Sequence, residues 1–208
     1  MIYRRPLVGR RAHRICSPEN IILESPQTAK IRYRDGGTDD IIETIMHMDA
    51  ESGAWVDTDA AQCLRGDTLH ETLHNVWAFV KHHNRYRADS PGHERVKSPG
   101  ALFTSRTGDC KSYSIAEGAL LRALGIRYKY RFSAYNQGDF THVYVLAEMP
   151  QGWTPLDAVH DKPFEEVWYV RKKDILPKTK GIAGLPAKAE INYMGIAILA
   201  MLIMMTGK

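Results

Sequence analysis

The chain has 208 residues, of which 44% are hydrophobic and 25% are charged, and its formal net charge is +4. This length predicts one domain with extensions, and so small a charge does not by itself indicate a nucleic-acid-binding protein. The three cysteines, Cys16, Cys63 and Cys110, are odd in number and widely spaced. We therefore expect free thiols in a reducing compartment and no disulfide framework.

The N-terminal stretch, residues 1–27, is predicted to be a basic arm. It carries five arginines between Arg4 and Arg14. No apolar core of signal-peptide length follows them, so we expect no secretory signal. The arm is either a solvated extension or a segment that docks on an acidic partner or on nucleic acid.

Short elements lead into the predicted domain, residues 28–176. Residues 21–23 and 30–34 are each predicted to form a strand. A helix is predicted to begin at Thr38, with isoleucines and methionines along its apolar side. A second, shorter helix is predicted over residues 57–64, in which Cys63 is interpreted as a packed residue.

A longer helix is predicted over residues 68–81. Its apolar face comprises Leu69, Leu73, Val76 and Val80. The same stretch contains His70, Glu71 and His74 in the HExxH pattern of zinc peptidases. Thr68 and Glu71 also fit a capping box, which gives Glu71 a structural role, and no third ligand stands at a recognised spacing. A zinc peptidase is therefore only a distant alternative.

The stretch around Cys110 is the part of the sequence most typical of an enzyme. Asp109 is a predicted N-cap, which places Cys110 in the first turn of a helix that ends before Gly125. Free backbone N–H groups and the helix dipole favour a thiolate at that position. Cys110 is either a reactive nucleophile or a small packed residue.

Two later residues favour the nucleophile. His142 falls in a predicted strand over residues 140–147, and Asp157 ends a second short strand after a turn at residues 150–152. A hairpin of this kind can set His142 and Asp157 side by side. In that arrangement His142 accepts the thiol proton of Cys110, and Asp157 holds the imidazole by its other nitrogen.

These residues together resemble the transglutaminase-like superfamily of papain-like cysteine enzymes. The matching stretches are Gly108–Cys110, residues 119–126, His142–Val145 and Gly152–Asp157. The resemblance implies an α+β fold in which the helix that carries the nucleophile packs on an antiparallel sheet. It also implies acyl transfer or amide hydrolysis on a protein or peptide through a thioester, with no cofactor and no metal.

Within that superfamily the chain looks most like compact members encoded beside virion genes of bacterial phages. The features are residues 85–89, residues 96–99 and then Gly108–Cys110. This resemblance implies a bacterial cytoplasmic or virion location. Many relatives carry an acidic residue after the cysteine, whereas this chain has Lys111, a cation that we expect to favour the thiolate. The backbone N–H of Cys110 is the candidate oxyanion donor.

Two stretches that follow the cysteine helix are also predicted strands. Residues 127–133 alternate basic with aromatic side chains, which indicates either a strand with one solvated face or a nucleic-acid platform. Residues 163–170 are predicted to form one more strand, followed by a polar break at residues 171–174.

The C-terminal part is predicted to be a linker, residues 177–190, and an apolar tail, residues 191–208. The tail is uninterruptedly apolar from Tyr193 to Met205 and is short for a membrane span. It is an anchor in a membrane or virion, a segment buried on a partner, or part of the domain. With the arm, it supports the alternative hypothesis of a virion structural or assembly protein that keeps the fold as a scaffold.

Overall fold

The computed structural model describes residues 16–23, 28–32, 37–90 and 93–177. The chain divides into two units, residues 1–178 and 179–208, and every described residue belongs to the first. Most of the predicted arm, nearly all of the linker and the whole apolar tail lie outside the described residues. Among the described helices, none is long and apolar enough to cross a membrane.

The helices and strands of the described residues give a mixed α/β fold with an antiparallel sheet. The helices are α1 (Pro18–Ile21), α2 (Thr38–Glu51), α3 (Thr58–Ala61), α4 (Leu69–His83), α5 (Pro99–Ser105) and α6 (Cys110–Ala123). The strands are β1 (Thr28–Arg32), β2 (Arg85–Tyr86), β3 (His93–Lys97), β4 (Thr107–Gly108), β5 (Tyr128–Ala134), β6 (His142–Met149), β7 (Gly152–Leu156) and β8 (Arg171–Ile175). The larger sheet has the strand order β7-β6-β5-β8, and all its pairs are antiparallel.

Helix α6 lies at the centre of this fold. Twelve of its fourteen residues are buried, because it packs on β5 and β6 and is enclosed by the other helices. A Cβ at Gly118 would lie 2.4 Å from the Tyr130 hydroxyl, so this mid-helix glycine permits the close approach of helix and sheet. Gly125 ends the helix with φ of 68°, as its position in the sequence predicts.

A buried carboxylate connects α2 to α6 and β5. Asp49 is fully buried and accepts hydrogen bonds from the Tyr128 hydroxyl at 2.5 Å and the Tyr130 hydroxyl at 2.7 Å. The Arg122 guanidinium pairs with the other oxygen of the same carboxylate. Burial, followed by the charge of Asp49, raises the pKa of both tyrosines well above the usual value. The hydroxyls therefore remain donors, and the network fixes α2 against the core.

Three predictions about local structure are wrong. Residues 18–21 form a helical turn instead of leading into a strand, and Ile22 makes an isolated bridge to Val56. The last strand is β8, not residues 163–170, because its charged side chains suit the edge of the sheet. The polar break predicted over residues 171–174 is also wrong, because these residues lie within β8.

The basic side chains of β5 are not on a solvated face. Arg131 is buried and pairs with Asp174 of β8 at 2.6 Å and with Glu166. Lys129 lies 2.8 Å from the same Asp174 carboxylate and 4.5 Å from the Trp153 ring centroid. Hydrogen bonds from Arg131 lower the pKa of Asp174 to about 2. These charges hold the edge strand in place, so the positive charge of β5 is neutralised within the sheet.

The expectation of three free thiols is also wrong. Cys16 and Cys63 form a disulfide with Cα atoms 5.7 Å apart, within the range that a disulfide spans, and Cys110 is the free thiol. The two bonded residues are 47 positions apart in the sequence. The number of cysteines therefore does not indicate a reducing compartment, because disulfides persist where thiols are oxidised.

We predict that Asp49→Asn lowers the free energy of unfolding by about 3 kcal/mol, because it leaves the buried Arg122 guanidinium without its counter-ion. Denaturant unfolding measures this change. The matched control is Asp39→Asn, because Asp39 is 93% exposed in its side chain and lies 3.5 Å from Lys173. The control should change stability by less than about 0.5 kcal/mol. Equal effects of the two variants would contradict the buried network.

We predict that a reductant lowers the free energy of unfolding by roughly 4 kcal/mol, because the disulfide closes a long loop in the unfolded chain. Peptide mapping without reductant should recover Cys16 joined to Cys63 and Cys110 as a free thiol. The matched control is the double variant Cys16→Ser and Cys63→Ser, whose melting temperature should not respond to reductant. Recovery of three free thiols from protein purified without reductant would refute the bond.

Candidate active site

Cys110 is the first residue of α6, as predicted from the sequence. The Asp109 side chain accepts a hydrogen bond from the Ser112 backbone N–H, so Asp109 is the N-cap. The Ser114 hydroxyl lies 2.7 Å from the Cys110 carbonyl oxygen and 2.9 Å from that of Val143, and shares its proton between them. Ser114 thus connects the first turn of α6 to β6, one residue after His142.

The structure brings together all three residues predicted for the site. His142 begins β6, and Asp157 follows directly after β7, the strand that pairs with β6. The His142 Nε2 atom lies 2.6 Å from Asp157 Oδ2, and Cys110 lies close enough to raise the pKa of the His142 imidazole. All three are nearly buried, with 5 to 8% of each residue exposed. The β6–β7 hairpin therefore places the Asp157 carboxylate beside the His142 imidazole, and α6 brings the Cys110 thiol near the same ring.

The surroundings favour the charged form of His142. Burial alone lowers its pKa, but hydrogen bonds with Asp157 and Cys110, together with their negative charges, outweigh burial and raise the pKa from 6.5 to about 10. The ring also lies between the side chains of Tyr135 and Tyr144, with centroids at 6.3 and 5.6 Å. The imidazole is thus held in place and remains protonated at neutral pH.

Asp157 is held in place by several further contacts. Its backbone oxygen accepts a hydrogen bond from Trp77 Nε1 of α4 at 3.0 Å, and its Oδ1 atom accepts one from the Val159 N–H at 3.0 Å. Lys81, one turn further along α4, donates to the Val159 carbonyl oxygen at 2.9 Å. His160 Nε2 lies 3.3 Å from Asp157 Oδ2, without the alignment of a hydrogen bond. The carboxylate orientation is therefore fixed by α4 and by its own loop.

A second carboxyl group lies behind Asp157. Glu117, two turns along α6 from Cys110, is 1% exposed and accepts a hydrogen bond from the Ala158 N–H at 2.9 Å. Burial, and then the charge of Asp157, raises the pKa of Glu117 well above its usual value. Glu117 therefore favours its neutral form, and it fixes the backbone next to Asp157.

A cleft of about 300 Å³ opens over Cys110 and His142. Its lining includes apolar side chains such as Ile41 and Phe140 and polar side chains such as Tyr86 and Asp89. Asp89 of this lining lies in the segment between β2 and β3. The cleft that contains Cys110 and His142 therefore has a lining of mixed polarity.

Lys111, the cation that the sequence predicted to favour the thiolate, is also paired with carboxylates. Its side chain is 8% exposed, and its ammonium contacts Asp109, Glu94 at 2.5 Å and Asp89 at 3.6 Å. We refer to these four residues as the lysine cluster. Burial lowers the pKa of Lys111, but the charges of Asp109 and Cys110 raise it, so the ammonium and a negative charge on Cys110 stabilise each other.

The HExxH motif has structural roles. Thr68 Oγ1 accepts a hydrogen bond from the Glu71 N–H, and Glu71 Oε2 accepts from the N–H groups of Asp67 and Thr68, so the predicted capping box is confirmed. His70 and His74 are exposed. The carboxylate of Glu71 therefore caps the start of α4, which is a structural role and not that of a general base.

One family model matches the part of the chain that contains this arrangement. Residues 57–158 match the family model of the transglutaminase-like superfamily core. This stretch is a transglutaminase-like domain. The match begins at the N-cap of α3, includes Cys110, His142 and Asp157, and covers just under half of the chain. A comparison with curated proteins gives no match.

Several solved structures are similar to the transglutaminase-like domain and its surroundings. A candidate cysteine protease from Cytophaga hutchinsonii is 18% identical, with 70% of this chain and 54% of that chain covered and a TM-score of 0.43. LapG from Legionella pneumophila in a calcium-bound structure is 16% identical, with 76% and 98% covered and a TM-score of 0.46. The chain thus spans about half the length of the Cytophaga protein.

The sequence did not indicate every residue that supports the site. Glu117 and Trp77 fall on helices that were correctly predicted, but nothing in their local pattern points to the loop at Asp157. The signal that was available is chemical, because a glutamate within an apolar helix needs a buried partner. Lys111 was noted for its charge, but its partners depend on the fold.

We predict that Glu117→Gln stabilises the protein at about pH 8 but not at about pH 4. A raised pKa in the folded state means that the contribution of Glu117 to stability is complete below its unfolded value of 4.5 and is lost as the pH rises. Glutamine stays neutral, and its oxygen can still accept from the Ala158 N–H. Melting temperatures measured across this pH range test the prediction. Each kcal/mol of change in the free energy of unfolding shifts the melting temperature by about 2–4 °C.

The control for this experiment is Glu148→Gln. Glu148 is 37% exposed in its side chain and pairs with Arg127 at 2.7 Å on the sheet surface. Its replacement should not raise the melting temperature at any pH. A Glu117→Gln variant that is equally destabilised at both pH values would show that Glu117 is ionised in the folded protein.

Proposed function

We propose that this transglutaminase-like domain is a cysteine enzyme that carries out acyl transfer or amide hydrolysis on a protein or peptide. In this proposal Cys110 is the nucleophile, His142 is the general base and acid, and Asp157 orients the imidazole. The observation that carries the proposal is the 2.6 Å hydrogen bond between His142 Nε2 and Asp157 Oδ2, on a ring that lines the same cleft as Cys110. Nucleophile, base and orienting group in such contact are typical of covalent catalysis.

The chemistry follows from the positions of these groups. The Cys110 thiolate attacks the substrate carbonyl carbon, and the imidazolium of His142 gives its proton to the departing amine as the C–N bond breaks. The product is a thioester on Cys110. Water or a second amine then attacks the thioester and transfers a proton to His142, and the C–S bond breaks to release the Cys110 thiolate. Water gives hydrolysis, and an amine gives a new amide bond.

The tetrahedral intermediate needs donors for its oxyanion. The backbone N–H of Cys110 lies in the first turn of α6, where N–H groups have no partner within the helix. Tyr86 lines the same cleft and is half exposed. Burial and the negative charge of Cys110 raise the pKa of Tyr86, so its hydroxyl stays protonated and can donate. We assign these two groups as the oxyanion donors.

The alternative is a virion structural or assembly protein that keeps the fold as a scaffold. That hypothesis, like the proposed virion, membrane and nucleic-acid contacts, depends on the basic arm and the apolar tail, which lie outside the described residues. A scaffold requires no hydrogen-bonded set of thiol, imidazole and carboxylate beside an open cleft. The buried set at Cys110 therefore favours the enzyme.

We predict that Cys110 reacts with iodoacetamide at about pH 6 at least tenfold faster than the same thiol in unfolded protein, since an ordinary thiol is protonated there. His142→Ala should return the rate to that of an ordinary thiol. Asp157→Asn should slow labelling less, but it should reduce turnover of p-nitrophenyl acetate about a thousandfold because the imidazole loses its orientation. Mass spectrometry of labelled peptides and release of p-nitrophenolate give the two rates.

The control is Asp161→Asn, four residues after Asp157. Asp161 is 95% exposed in its side chain and pairs with Lys81 at 2.8 Å. Its replacement should leave labelling and turnover unchanged. Wild-type Cys110 that labels no faster than unfolded protein, with no burst of p-nitrophenolate, would leave only the scaffold hypothesis.

A further inference from the structure

The lysine cluster joins three separate parts of the chain beside Cys110. Asp109 caps α6, Glu94 belongs to β3, and Asp89 lies in the segment between β2 and β3. Carboxylate oxygens of the three lie within 4.8 Å of one another. Like charges at that separation repel strongly, so the arrangement requires a proton or a cation among them.

The Lys111 ammonium supplies that cation. It contacts all three carboxylates, and its side chain is nearly buried. Burial alone lowers the pKa of Lys111, but the charges of Asp109 and Cys110 and the hydrogen bonds with Asp109 and Glu94 raise it well above its usual value. The cluster therefore holds an ammonium and not a neutral amine.

The cluster reaches Cys110 through Asp109. One oxygen of this carboxylate bonds to the Lys111 ammonium, and the other faces the Ser112 N–H and hydroxyl, each at 3.4 Å. The Ser112 hydroxyl in turn accepts from the Lys97 N–H of β3 at 3.3 Å. Any rotation of Asp109 toward solvent would break the cap of the helix that begins with Cys110.

We propose that Lys111 is a positioning residue. Its ammonium is an internal cation that fixes Asp109 and the first turn of α6. In its absence a divalent cation could hold the same carboxylates. The proposal extends the proposed function, since it concerns the reactivity of Cys110. It makes two statements about this chain. Cys110 reacts more slowly when the Lys111 ammonium is removed. A cation that prefers oxygen ligands, such as calcium, can occupy the position of the ammonium.

The first test is Lys111→Met, which keeps side-chain length and removes the charge. We expect iodoacetamide labelling of Cys110 to slow about tenfold. The matched control is Lys129→Met, because Lys129 is also nearly buried, with 15% of its side chain exposed, and pairs with Asp174 at 2.8 Å. The control should lose stability without a change in labelling rate, which separates positioning of Cys110 from general loss of an ion pair.

The second test is Lys111→Ser, which opens space among the three carboxylates. Calcium chloride should bind this variant in calorimetry and restore its labelling rate toward that of the wild type. The wild type should show neither effect, and a chelator should not slow it. If Lys111→Met does not fold, folding of Lys111→Ser on addition of calcium, followed by circular dichroism, is the deciding measurement.

The outcomes separate this inference from the proposed function. Lys111→Met that labels at the wild-type rate, or Lys111→Ser that neither binds calcium nor responds to it, overturns the inference. A wild-type Cys110 with ordinary reactivity overturns the proposed function instead. In that case calcium binding by Lys111→Ser still shows whether the ammonium occupies a cation position.

Discussion

The arrangement of the site depends on one requirement, that buried polar side chains of helix α6 have partners elsewhere in the fold. Lys111 bonds to the carboxylates of the lysine cluster, Ser114 to β6, Glu117 to the loop after β7 and Arg122 to α2. A buried polar group without a partner costs roughly 1–3 kcal/mol. The helix is therefore locked in one position by contacts distributed along its length, and Cys110 is fixed with it.

Much of the fold could be predicted because the decisive patterns are local. Helices α4 and α6 have apolar periodicity, clear N-caps and a terminal glycine or basic turn, and the β6–β7 hairpin has β-branched and aromatic residues around a turn. The pairing of Val145 with Leu156 in that hairpin follows from such a pattern. Cys110, His142 and Asp157 could be found for the same reason, since a short hairpin and one helix end position them.

The errors share a different cause, because they concern contacts between distant segments. Strand β8 has no apolar pattern, and its charges pair with Arg131, which is 43 residues earlier. The disulfide joins residues 47 positions apart, so the local sequence around either cysteine does not predict it. The partners of Glu117 and Lys111 also depend on the tertiary fold. Sequence patterns thus identified the groups that meet on the site, but not the contacts that hold them.

The two buried carboxyl groups near His142 illustrate why those supporting contacts matter. Asp157 bonds to the imidazole and to the Val159 N–H, whereas Glu117 is enclosed in the core with one backbone donor. Two carboxylates so close to each other would both be costly to ionise, and burial places the proton on Glu117. Burial lowers the pKa of His142, but its hydrogen bond to Asp157 and the charge of that carboxylate raise it, so Asp157 stabilises the imidazolium. Because Glu117 favours its neutral form, Asp157 is the carboxylate that acts on His142.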